Sequence, residues 1–158
     1  MPPYSQITPK LHRKEDAEVI QLGSVTCFLL EDGSTTANRI AAVILLLPPR
    51  AEGPPMHWSR MHDECFFVTK GTVRFTVADG TVDAPQGSMM VVPPRAAHML
   101  SNPSETEYAE LYMTANPGYY VEYFRMLGQE MEGGKELSPE DSEYLMVLFG
   151  TFPPDAEI

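Results

Sequence analysis

The residues of this chain best suited to chemistry are three histidines and a glutamate in two short segments. The first runs Gly53-Pro54-Pro55-Met56-His57-Trp58-Ser59-Arg60-Met61-His62-Asp63-Glu64, and the second runs from Gly87 to Asn102 and contains His98. An imidazole can ligate a metal or move a proton near neutral pH. Glu64 opens the run Glu64-Cys65-Phe66-Phe67-Val68-Thr69, and strand alternation places Glu64, Phe66 and Val68 on one face. An acid on the inward face of an apolar hairpin is costly unless it is paired or ligates something. Glu64 is therefore the residue most in need of a function. His57 and Ser59, two residues apart, share a face by the same rule.

The spacing in both segments resembles the two motifs of the cupin superfamily. The first motif reads Gly, five residues, His-x-His, three or four residues, Glu, six residues, Gly. His57, Glu64 and Gly71 hold its first histidine, its glutamate and its closing glycine. The second reads Gly, five residues, Pro-x-Gly, two residues, His, three residues, Asn. Gly87, Pro93, His98 and Asn102 fall in place. The departures include Arg95, which stands for the glycine of the second motif, and Ser59, which stands for the second histidine of the first.

The resemblance implies a metal site of histidines and a glutamate, here reduced to His57, Glu64 and His98. A set of two histidines and one carboxylate with open positions suits non-haem Fe(II) and catalytic Zn(II). The expected cofactor is one divalent metal ion: Fe, Mn, Ni, Cu or Zn. A serine hydroxyl stays protonated at neutral pH and is a poor ligand. Ser59 is thus a candidate for binding substrate or water, and His62, two residues before Glu64, is a candidate replacement ligand. Without a metal, His57 and His98 would serve as acid and base, with Glu64 orienting one of them or acting as base itself.

The Pro-Pro run before His57 and the helix start near Pro117-Gly118 resemble the quercetin-dioxygenase-like branch of the superfamily. That implies a small-molecule enzyme acting on an apolar or aromatic, polyketide-like metabolite, with dioxygenase chemistry. A lyase, isomerase, dehydratase or cyclase is the alternative, and a non-catalytic ligand-binding protein is the alternative from another class. The catalytic candidates are Glu64, His57 and His98; the substrate-binding candidates are Ser59, Phe66, Phe75, Met56 and Tyr112. The tyrosines and phenylalanine at Tyr119, Tyr120, Tyr123 and Phe124 read as helix packing. Trp58 reads as outward packing or a subunit contact, and His62 also reads as a loop histidine near the surface.

The elements that must position these residues are short strands. Glu18–Leu30, Arg39–Leu47, Glu64–Thr69, Thr72–Val77, Thr81–Ala84, Ser88–Val92, Ala97–Leu100 and Glu107–Thr114 alternate with Gly- and Pro-containing turns, Asp79-Gly80 among them. Such a series indicates a mainly β sandwich or barrel. With the motifs, it becomes a double-stranded β-helix, the jelly-roll barrel of cupins. Two helical segments follow, Tyr119–Met131 by its aromatic spacing and one begun by Ser138-Pro139 with acids in its first turn. The expected layout is a polar arm over residues 1–17, a barrel over 18–115 and a helical extension over 116–158.

The chain has 158 residues, 43% of them apolar, as expected of one globular domain. Its 22 acids against 11 Lys and Arg give a net charge of -11. No basic cluster offsets this, which argues against nucleic-acid binding. Two cysteines make no disulfide framework. The charged start has no apolar signal core, and the run from Ile40 to Pro49 is too short for a bilayer. The expected setting is cytoplasmic, with a small-molecule partner, no membrane partner, and a homodimer as the assembly.

Overall fold

The computed structural model describes residues 8–158. Residues 1–7 of the expected N-terminal arm lie outside the described residues. Eleven strands and two α-helices follow: β1 Glu18–Leu22, β2 Val25–Glu31, β3 Ala41–Leu47, β4 Trp58–Ser59, β5 Asp63–Lys70, β6 Thr72–Val77, β7 Gly80–Pro85, β8 Met89–Val92, β9 His98–Ser101, β10 Ala109–Asn116, α1 Val121–Glu130, α2 Pro139–Leu148 and β11 Thr151–Phe152. One six-stranded sheet has the order β1-β2-β3-β10-β5-β8, facing a three-stranded sheet β7-β6-β9, and a small pair joins β11 to β4. Every pairing is antiparallel.

The inner faces follow the alternation of the sequence. In β5, Glu64, Phe66 and Val68 are buried while Asp63 and Phe67 are exposed. In β10, Ala109, Leu111, Met113 and Ala115 are buried. These residues, with Val43, Leu45 and Leu47 of β3 and Val73 and Phe75 of β6, form one continuous core. Gly71 makes the tight β5–β6 turn. Its φ is +67°, and a Cβ there would lie 2.6 Å from the carbonyl oxygen of Tyr108, so two independent constraints require glycine.

One sequence expectation is corrected, and one strand pair is unforeseen. Glu18–Leu30 is not one strand but a hairpin of β1 and β2, because Gly23, at φ +62°, reverses the chain. The β4–β11 pair gives no sequence signal at all, since each strand has only two residues. The helical tail behaves as its caps suggest. The Ser138 hydroxyl accepts from the Asp141 amide at 3.1 Å, and Pro139 opens α2. α1 lies against β1. Arg125 ties it to Glu18 at 2.9 Å and to Asp32 at 3.1 Å. Ahead of β1, His12 lies 3.1 Å from Glu31, and Lys14 donates to Glu110 at 2.8 Å, so this stretch is held to the barrel.

Candidate metal and substrate site

His57 and His98 are 41 positions apart in sequence and meet through their backbones. The His57 amide donates to the His98 carbonyl at 3.1 Å, and the His98 amide donates to the His57 carbonyl at 2.9 Å. This isolated bridge sets the ring centroids 4.5 Å apart. Glu64 reaches the same point from β5, whose residue pairs with Val92 of β8 on one side and Ala115 of β10 on the other. All three side chains are buried, at 5%, 2% and 2% exposure for His57, Glu64 and His98.

The ring tautomers follow from the acceptors behind them. Nδ1 of His57 lies 2.7 Å from the Pro55 carbonyl, and Nδ1 of His98 lies 3.1 Å from the Ala96 carbonyl. A carbonyl can only accept, so each Nδ1 carries hydrogen and, in the neutral ring, each Nε2 presents a lone pair. Nε2 of His98 approaches Oε2 of Glu64 at 2.9 Å, but off the line of a hydrogen bond. Oε2 is accordingly a buried carboxylate oxygen without a hydrogen-bond partner. One ligand atom from each of the three residues lies within 4.8 Å of the others. Two imidazole nitrogens and an orphaned carboxylate oxygen converging in this way fit a divalent metal ion. The backbone carbonyls behind both rings are the outer-shell partners that such ligands ordinarily have.

The three groups also push one another's protonation apart. Burial lowers the pKa of His57, and the charge of nearby His98 lowers it further, to about 4. Burial also disfavours charge on His98, but the Glu64 carboxylate outweighs it and raises that pKa. Burial would raise Glu64, yet His62 and His98 hold it down at about 2. Among the described residues Glu64 makes no ion pair with an arginine; Arg74, for example, pairs with Asp83 on the surface.

The cluster lines a cavity of about 640 Å³. Its walls are largely apolar: Leu45 from β3, Phe66 from β5, Leu100 from β9, Met113 from β10, and Tyr120, Tyr123 and Phe124 at the start of α1. The charged side chains on it, apart from the histidines, are Glu52, Glu64 and Glu136. Among the described residues no lysine or arginine lines it.

Of the substrate-binding candidates, Phe66 lines this cavity and four others do not. Phase decides Tyr112: with Leu111 and Met113 inward, it points outward and is 37% exposed. Phase favours Phe75 facing inward, but it sits behind Phe66, at a ring distance of 5.5 Å, fully buried in the core. Met56 is half-buried outside the cavity wall. Ser59 is buried because β4 pairs with β11, and its hydroxyl is spent on Nε2 of His62 at 2.8 Å.

His62 is not near the surface; it is 1% exposed, with Nε2 3.6 Å from Oε1 of Glu64 and its ring 4.1 Å from that of Tyr120. It stands behind Glu64 rather than in the three-residue cluster. Trp58 is buried within the chain. Its indole donates to the Pro153 carbonyl at 2.9 Å and packs on Phe152. Asn102 is structural, its amide donating to the carbonyls of Leu47, Pro48 and Glu107. Arg95, in the motif's glycine position, keeps the left-handed backbone at φ +72°.

The aromatic segment before and within α1 is the main surprise. Its spacing reads as packing, and it does pack, but the same rings form a wall of the cavity. Helical spacing identifies an apolar face without saying whether a neighbour or an open space lies opposite.

This barrel, with its inward histidines and glutamate, defines a cupin. Residues 43–114 match the family of cupin domains, and the chain belongs to the cupin superfamily. Among curated proteins, none matches it. Solved structures share the fold at low identity. An RmlC-like cupin from Shewanella frigidimarina is 22% identical, with a TM-score of 0.59 over 70% of this chain and 92% of that one. A predicted oxalate decarboxylase from Thermotoga maritima is 17% identical, with a TM-score of 0.60 over 68% and 99%. A sugar phosphate isomerase from Silicibacter pomeroyi is 18% identical, with a TM-score of 0.58 over 68% and 75%. Among the described residues no helix is long and apolar enough to cross a membrane.

Proposed function

We propose that this protein is a metal-dependent cupin enzyme acting on an uncharged, apolar or aromatic metabolite inside the barrel, with dioxygenase-like chemistry. The observation that carries this is the convergence of His57, Glu64 and His98, with a buried carboxylate oxygen that has no hydrogen-bond partner, on a largely apolar cavity. His57 and His98 would hold the ion through Nε2, and Glu64 through Oε2. Bound there, a divalent metal supplies Lewis acidity toward a substrate oxygen and, if redox-active, electrons for oxygen chemistry. The apolar walls would orient the ligand. Three carboxylates without a lysine or arginine disfavour phosphorylated sugars, whatever the fold shared with a sugar phosphate isomerase.

A second reading rests on the opposed protonation of the two histidines. His57 is kept neutral and His98 is biased toward the charged form, which is the arrangement of a base beside an acid. A lyase, isomerase, dehydratase or cyclase would use them so, with Glu64 holding His98.

Elemental analysis of protein purified without added metal separates the two. Stoichiometric Fe, Mn, Ni, Cu or Zn, with activity lost on chelation, supports the first. Metal-free protein whose activity survives chelation rejects it. Under either, Glu64→Gln abolishes turnover. We also propose a homodimer formed through the outer face of the large sheet. There Met89, Phe67 and Tyr112 stand side by side in register and are 61%, 40% and 37% exposed. A monomeric mass by light scattering rejects this.

A further inference from the structure

The rings of Tyr120 and Tyr123 stack with centroids 5.5 Å apart and interplanar angle 21°. Both residues line the cavity, and they are only 3% and 2% exposed. Neither phenol has a hydrogen-bond partner among the described residues. A buried hydroxyl sealed off without a partner is costly. The sealed, unpaired side-chain atoms among the described residues are Nδ1 of His62, Oε2 of Glu64 and Oγ1 of Thr151, and neither tyrosine is among them. The two hydroxyls therefore reach open space; Tyr120 also borders a far smaller pocket, and the space that both rings share is the cavity.

Both phenols are held as donors. Burial raises the pKa of Tyr120 well above its ordinary value, and the charge of Glu64 adds to the effect. Burial likewise raises Tyr123, to about 12. Their positions are braced from behind. The Ser59 hydroxyl fixes His62, the His62 ring lies against Tyr120, and Phe124 meets Tyr120 edge-on at 5.6 Å. The residue that departs from the motif thus supports a wall of the cavity.

We propose that Tyr120 and Tyr123 are substrate-binding donors that grip an acceptor oxygen of the ligand, so that the site selects aromatic or apolar molecules bearing a carbonyl-type oxygen. This rests on the cavity being the substrate site, as proposed above, and adds the functional group that the substrate must carry. The donors come from the C-terminal helical segment and lie outside the matched residues 43–114. Selection by this pair is thus a property of the tail and not of the barrel motifs.

The test uses two probes of similar shape, 2-acetylnaphthalene with an acceptor oxygen and 2-ethylnaphthalene without one, titrated calorimetrically into the full chain. Tyr120→Phe and Tyr123→Phe keep the rings and remove the donors. Each lost hydrogen bond is worth about 0.5–1.5 kcal/mol, so each substitution lowers the ketone-to-ethyl affinity ratio about 2- to 12-fold. Binding of the ethyl probe stays within about 2-fold. A general loosening of the cavity would weaken both probes together and leave the ratio fixed. An unchanged ratio in both variants, with both probes bound by the wild type, overturns this inference alone. Failure of the wild type to bind either probe overturns it together with the cavity as substrate site.

Discussion

Glu64→Gln tests the metal site without needing the substrate. The glutamine keeps the size and one oxygen of the side chain but removes its charge, so the fully packed position is preserved. The ligand atoms of the cluster lie within 4.8 Å of one another. Metal–ligand bonds of about 2.0–2.2 Å place neighbouring ligands about 3.0–3.5 Å apart, so closing on an ion requires movements of about 1 Å, within reach of side-chain rotation. An ion present at about 100 times its Kd stabilises the folded state by about 2.7 kcal/mol. For a domain of this size that raises Tm by about 5–10 °C. Loss of the carboxylate should weaken binding by at least about 100-fold, the upper end of what losing an outer-shell partner costs. At the same metal concentration the variant then keeps about 0.4 kcal/mol and a shift of about 1 °C. Scanning fluorimetry of chelated protein, with and without Fe(II), Mn(II), Ni(II), Cu(II) or Zn(II), reads this directly. A variant shifted as far as the wild type by the same ion would refute the ligand role of Glu64.

Ser59→Ala removes the partner of His62 Nε2 in a ring whose Nδ1 already lacks one, and should cost about 1–3 kcal/mol in urea denaturation; a neutral result would show that the pair contributes nothing. Gly128 allows α1 to lie on β1, since a Cβ there would come within 2.4 Å of Cγ2 of Ile20. Overpacking costs about 1–3 kcal/mol, against a helix-propensity gain of about 1 kcal/mol, so Gly128→Ala should destabilise by up to about 2 kcal/mol; a stabilised variant would contradict this contact. Burial holds the pKa of His57 at about 4 in the folded chain against an ordinary 6.5, so between those values the unfolded chain binds more protons and stability falls as pH falls. In metal-free protein this contributes about 2 kcal/mol of loss between pH 7 and pH 5. His57→Gln should lack that component, and identical pH slopes for the two proteins would reject a buried neutral His57.

The barrel and its central cluster were legible because their determinants are local. Alternation in Glu64-Cys65-Phe66-Phe67-Val68 fixes which side chains face inward, and the turn at Lys70-Gly71 fixes the hairpin. Motif spacing then aligns His57 and His98, and the fold brings them together by a backbone bridge. Where a strand's phase could not be read, a side chain could not be placed, as at Tyr112, which lies outside the cavity. Phase also could not tell the cavity surface from the core behind it, and Phe75 lies in the core.

Sequence by itself determined the strand series, the two helix starts, the inward acid at Glu64 and its pairing with two histidines. The strands, the helix starts and the inward acid follow from side-chain periodicity and capping signals along one stretch of chain, and the pairing with two histidines follows from the resemblance to the two cupin motifs. Tertiary structure alone decided what stands around that cluster. Ser59 faces His62 because β4 is held by β11 from the far end of the chain, and His62 is buried because Tyr120 covers it. The tyrosines of the tail border an open cavity because α1 docks across β1 and leaves space over the inner sheet. These are contacts between segments far apart in sequence, and no local pattern records which surfaces will meet or what volume will be left between them.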